Sequence, residues 1–94
     1  MLRPSFVDDT DPKAPMTPEA QLQAAFVEAL GLPAGFDVST AAYRVTRQWD
    51  SVAHMQLIGA IELAFDIMLD TDEVIGMSSY QRAREIVGKH GVAL

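Results

Sequence analysis

Cysteine is absent from this 94-residue chain, which excludes a disulfide framework and a thiolate metal centre. Cations are scarce: Lys and Arg number 7 against 13 Asp and Glu, for a formal net charge of -6. Such a field repels phosphate backbones and anionic lipid and attracts basic protein surfaces, so nucleic acid is not expected as a partner. No apolar run is long enough to span a bilayer, and the opening residues lack the apolar core of a signal peptide, so the expectation is a cytoplasmic, monomeric protein with no stable membrane insertion. A chain this short holds one domain and buries only about 60% of its unfolded surface, which argues against a deep catalytic cleft and against an enzyme. What is present is globular composition, 49% hydrophobic and 21% charged.

Residues 1–16 carry Pro4, Pro12 and Pro15 among Asp8, Asp9 and Asp11 and have no helix or strand period, so a flexible N-terminal tail is expected there and a folded domain over 17–92. At Thr17 the pattern changes. Thr17 suits an N-cap, Pro18 the first helical position, and Leu22, Ala25, Phe26, Ala29 and Leu30 form a stripe that Gly31 and Pro33 end. Gly31 to Trp49 shows no period, though Phe36, Val38, Tyr43 and Val45 are apolar enough to pin this long connection to a core. A second helix runs from Asp50 to about Phe65, with Leu57, Ile58, Ile61 and Phe65 on its buried face. Its other side holds Ser51, Val52, Met55, Gln56, Gly59, Glu62, Leu63 and Asp66, which is too apolar for a purely solvated face. A short turn near Asp72 to Ile75 and a last helix follow, the latter with Ser78 and Gln81 at capping-box spacing and Tyr80, Ala83, Ile86 and Val87 on one stripe. Three main helices plus one short helix, with a long loop between the first and second, predict an all-α four-helix bundle.

Ser51 admits three readings. It or Asp50 caps the second helix. Alternatively Ser51 and His54 form a nucleophile and base, but no Gly-x-Ser-x-Gly elbow surrounds the serine and no third group orients the histidine. In the third reading Ser51 accepts a covalent prosthetic group at the positive end of a helix, where a phosphodiester is favoured. The stretch "WDSVAHMQLIGAIELAFDIMLDTDEV" resembles the Asp-Ser-Leu region of acyl carrier proteins. Asp50 and Ser51 stand at the motif positions, Val52 replaces the usual leucine, and Leu57, Ile58, Ile61 and Phe65 fall where that family places its core. The similarity spans roughly Thr17 to Gly91 and includes the long loop before the motif.

The resemblance implies a 4'-phosphopantetheine arm, drawn from coenzyme A by a phosphopantetheinyl transferase and attached to Ser51. It also implies acyl-loading ligases or synthases as partners and an acyl chain as cargo, with Leu57, Ile58, Ile61, Phe65, Met68, Ile75, Ala83, Ile86 and Val87 as the chain's pocket. Carriers of housekeeping fatty acid synthesis line the second helix with acids, whereas Ala53, Gln56, Leu63 and Ala64 stand at such positions here. A specialised lipid, fatty acid or polyketide pathway follows from that departure, with Val52, Met55, Gln56, Gly59, Glu62, Leu63 and Asp66 as the recognition face. An aminoacyl or peptidyl carrier, and a helical interaction module with unmodified Ser51, stand as alternatives. No metal site is read from the sequence, because Val74 and Ile75 occupy positions where a calcium loop begun at Asp70 needs a ligand and a glycine.

Overall fold

The computed structural model describes residues 17–94, so the expected tail lies outside the described residues. Within them lie four α-helices and no strand, in the order α1 (Pro18–Leu30), a 3-10 turn (Val38–Thr40), α2 (Ser51–Phe65), α3 (Thr71–Gly76) and α4 (Tyr80–Lys89). This small, mostly helical chain is compatible with an all-α bundle, and none of its described helices is long and apolar enough to cross a membrane.

Local chemistry sets the ends of each element. Thr17 Oγ1 accepts from Ala20 N–H at 3.1 Å, and Pro18 stands in the first turn, where its missing N–H costs nothing. Gly31 closes α1 with φ 64, a left-handed conformation that glycine adopts without strain. The packing of α1 against α2 makes the main helix pair. Leu22 and Phe26 of α1 meet Leu57 and Ile61 of α2 in one core with Ala83 and Val87 of α4, all fully enclosed.

Trp49 sits at the centre of this core. Its ring meets Phe26 edge-on with centroids 5.3 Å apart, and Phe26 in turn meets Tyr80 at 5.0 Å. One aromatic chain thus joins α1, the long loop and α4, an arrangement favourable beyond simple area burial. The loop itself is held by backbone bonds: Tyr43 N–H donates to Ser78 O at 2.9 Å and Tyr80 N–H to Ala41 O at 3.0 Å. That pairing orders the connection, with Val38 buried and Phe36 and Tyr43 half-buried, but Val45 is 81% exposed and pins nothing.

Two capping expectations are revised. The cap of α4 is Ser79, whose Oγ accepts from Arg82 N–H at 3.1 Å, because Ser78 O is already engaged by Tyr43. The reciprocal capping box belongs instead to α3, where Asp70 Oδ1 accepts from Glu73 N–H at 2.8 Å and Glu73 Oε1 from Asp70 N–H at 3.0 Å. No residue of α3 is fully buried. Polar tethers from its neighbours hold it: His54 of α2 bonds Val74 O at 2.8 Å, and His90 after α4 bonds Glu73 Oε1 at 2.9 Å.

At the surface, Tyr80 donates its hydroxyl proton to Glu19 Oε2 and Arg84 Nε–H donates to Glu19 Oε1 at 3.0 Å, joining α1 to α4. The Tyr80 hydrogen bond, assisted by Arg84 and opposed by burial, holds the Glu19 carboxyl below its ordinary value of 4.5. Burial, reinforced by the hydrogen bond and charge of Glu19, pushes the Tyr80 phenol up from 10.0 to about 12. Linkage then defines two windows. The depressed Glu19 contributes stability that is present above pH 4.5 and lost as pH falls through its folded-state value. The raised Tyr80 contributes stability that is present below pH 10.0 and lost as pH rises towards about 12. Tyr80→Phe is expected to flatten the alkaline limb of a urea-midpoint profile and weaken the acid limb; a profile parallel to wild type at both ends contradicts the assignment.

Candidate functional site

Asp50 and Ser51 divide the labour at the start of α2. Asp50 is the N-cap, in extended conformation, and its Oδ1 accepts from Ala53 N–H at 2.9 Å. Ser51 is the first helical residue and is exposed. Its Oγ takes no part in capping; it lies 3.2 Å from Tyr43 Oη. The hydroxyl therefore stands at the positive end of a 15-residue helix, where the amides of the first turn have no intrahelical acceptor. An esterified phosphate at this oxygen fits both the exposure and the local field.

Nothing pairs Ser51 with His54. The His54 ring lies against Trp49 with centroids 5.9 Å apart, and its Nδ1 accepts from Trp49 Nε1–H at 2.9 Å. That bond fixes the tautomer, so Nε2–H is the donor to Val74 O at 2.8 Å. Both nitrogens are engaged away from Ser51, which makes His54 a structural link from the loop through α2 to α3.

A cavity of about 240 Å³ is lined by Tyr43, His54, Val74, Ile75 and Met77, and Tyr43 joins it to the Ser51 hydroxyl. Tyr43 was expected only to anchor the loop before Ser51. The signal for Tyr43 lies in the turn between them: Arg44 adopts φ 66 and donates its N–H to Trp49 O at 3.0 Å, folding residue 43 back towards residue 51. Periodicity carries no trace of a contact made through such a turn.

The outer face of α2 is open to solvent over most of its length. Val52, Met55, Gln56, Gly59, Leu63 and Asp66 are exposed, with Leu63 at 86%. Glu62 differs. Its Oε2 accepts from Leu69 N–H at 2.9 Å, so this carboxylate fastens the chain leaving α2, and Asp66 ends the helix with φ 54. Between Arg47 and Arg82 the sequence has no Lys or Arg, so this face carries no Lys or Arg side chain of its own.

The expected acyl-pocket residues separate into two groups. Leu57, Ile58, Ile61, Ala83, Ile86 and Val87 lie in the closed core, and Phe65 is half-buried at its edge. Met68 and Ile75 instead lie at the surface, 79% and 74% exposed. After α2, Ile67 and Leu69 face the core and leave Met68 between them facing out, and α3 presents Val74 rather than Ile75 to the core.

Gly59 lies mid-helix on the exposed face, and a Cβ there meets nothing within 4 Å. Gly59→Ala is expected to raise stability by about 0.5–1 kcal/mol, or Tm by about 3–6 °C, through lower backbone entropy in the unfolded chain. An unchanged or lower Tm by calorimetry contradicts the open geometry at this position.

Comparison with protein-family models, with curated proteins and with solved structures gives no match.

Proposed function

We propose that the chain is a carrier protein of the acyl carrier type, with 4'-phosphopantetheine esterified to Ser51. One observation supports this above the others: the helix is capped by Asp50, and the Ser51 hydroxyl is left exposed and unused by the helix. A capping serine keeps its oxygen on the first-turn amides, and this one does not.

With both His54 nitrogens engaged away from Ser51, loading belongs to a separate phosphopantetheinyl transferase that supplies base and metal. Ser51 Oγ attacks the β-phosphorus of coenzyme A, forming a P–O bond as the bond to the adenosine 3',5'-bisphosphate leaving group breaks, and the serine proton passes to the transferase's base. When bound, the arm supplies a thiol that holds acyl groups as thioesters. The chain contributes position and recognition. Ser51 fixes the root of the arm on a rigid helix, while Val52 and Met55 give loading and acyl-transferring enzymes an apolar surface near that root, extended by Leu63 farther along α2.

This apolar, sparsely charged face supports a specialised lipid, fatty acid or polyketide pathway with its own partner enzymes. The test is incubation with coenzyme A, magnesium and a promiscuous phosphopantetheinyl transferase, followed by intact-mass measurement. The expected result is a single added arm; an unchanged mass beside a control carrier that is fully loaded favours a helical interaction module with unmodified Ser51. Transfer of aminoacyl rather than acyl groups onto the loaded protein by pathway enzymes would mark a peptidyl carrier.

A further inference from the structure

Resting on the carrier reading, we propose that Tyr43 is a positioning and specificity-determining residue of the Ser51 site, holding the root of the arm with its hydroxyl and limiting sheltered cargo to about eight carbon atoms with its ring. Three observations converge on it. Tyr43 Oη is 3.2 Å from Ser51 Oγ, within reach of whatever that oxygen carries. The Tyr43 ring lies against His54 with centroids 5.1 Å apart and forms a wall of the 240 Å³ cavity with His54, Val74, Ile75 and Met77. The core offers no opening, since Leu57, Ile61, Ala83 and Val87 are all fully enclosed, and the 280 Å³ cavity between α1 and α2 is lined by neither Ser51 nor Tyr43.

Tyr43 is held at its backbone and packed at its ring. Its backbone N–H is bound to Ser78 O, and its ring also meets Trp49 edge-on at 6.2 Å. The same side chain therefore touches the attachment atom and bounds the cavity, so a chain running from Ser51 into that space passes it. A phenol is a good donor to a phosphodiester oxygen, and the bond strengthens when the acceptor is charged. Size follows from volume: an apolar cavity of about 150 Å³ holds benzene, so a space of 240 Å³ holds a chain of roughly eight carbons. Longer chains project past Ile75, which is already largely exposed, into solvent.

The test loads wild type, Tyr43→Phe and Tyr43→Ala with acyl-pantetheine arms from acetyl to tetradecanoyl, using a promiscuous transferase and the corresponding acyl-coenzyme A. Two quantities are read: the half-life of each thioester in hydroxylamine, by intact mass, and the ³¹P resonance of the unacylated arm. In wild type the half-life is expected to rise up to octanoyl and stay level beyond it. Tyr43→Phe keeps the length dependence and moves the ³¹P resonance. Tyr43→Ala shortens the octanoyl half-life about fivefold, towards that of free acyl-coenzyme A. Should that variant fail to fold, Ile75→Trp fills the cavity from its exposed side and is expected to bring the octanoyl half-life down to the acetyl value. The proposal is overturned by a ³¹P resonance unmoved in Tyr43→Phe, or by octanoyl protection unchanged in the folded cavity variant. If wild type accepts no arm at all, it is the carrier reading that fails, and the two failures are thereby distinguished.

Discussion

Trp49→Ala is expected to lower the free energy of unfolding by about 3–5 kcal/mol, the largest stability effect of any single side chain considered. The reason is more than lost area. Trp49 is fully enclosed, it links α1 to the loop through Phe26, and its indole N–H is the donor that fixes His54. Without it, the half-buried His54 Nδ1 loses its donor and the link to Val74 O loosens, so damage is expected to spread to α3. Domains of this size hold about 5–15 kcal/mol in total, so the variant retains a small margin. Urea unfolding provides the measurement, and Trp49→Phe separates the contributions: it keeps most of the ring packing, loses the N–H, and should fall between the other two proteins. A Trp49→Ala free energy of unfolding within about 1 kcal/mol of wild type contradicts this account of the core.

Ser51→Ala is the second large effect, and it acts in the opposite manner. Stability should scarcely change, because the exposed hydroxyl makes one contact, with Tyr43, and no capping bond. Loading should vanish entirely. Asp50→Ala reverses the pattern, losing the cap bond to Ala53 and about 1 kcal/mol of helix stability while leaving the acceptor oxygen in place. The contrast matters because adjacent Asp and Ser are among the preferred residues at a helix start, and only opposite behaviour of the two variants assigns them different tasks. A similar stability loss in both, with loading retained in Ser51→Ala, assigns both to the helix and neither to cargo.

The elements that sequence rendered legible are those governed by local rules. Thr17, Pro18 and Gly31 bound α1 through capping and backbone preference, and the stripes of α1, α2 and α4 follow helical period. Features missed depend on partners distant along the chain. Ser78 and Ser79 are equivalent by propensity, and the choice between them is made by Tyr43, whose N–H occupies Ser78 O. Glu62 stands on the outer face by periodicity, yet Leu69 N–H draws its carboxylate into a local bond. Met68 and Ile75 look like core residues by hydropathy, but Ile67 and Leu69 take the inward positions around Met68, and Val74 takes that of α3 beside Ile75. His54 could be placed near the core, but its two partners, an indole and a carbonyl on α3, follow from tertiary packing alone.

The most direct measurement is peptide-level mass spectrometry of the transferase-treated protein, locating the added group among Ser5, Ser39, Ser51, Ser78 and Ser79. A single phosphopantetheine on the peptide containing Ser51, ejected as one unit on fragmentation and missing from Ser51→Ala, is the predicted outcome. A protein that takes up no such group while a known carrier in the same tube is fully modified, or one that bears it on a different serine, would contradict the central claim.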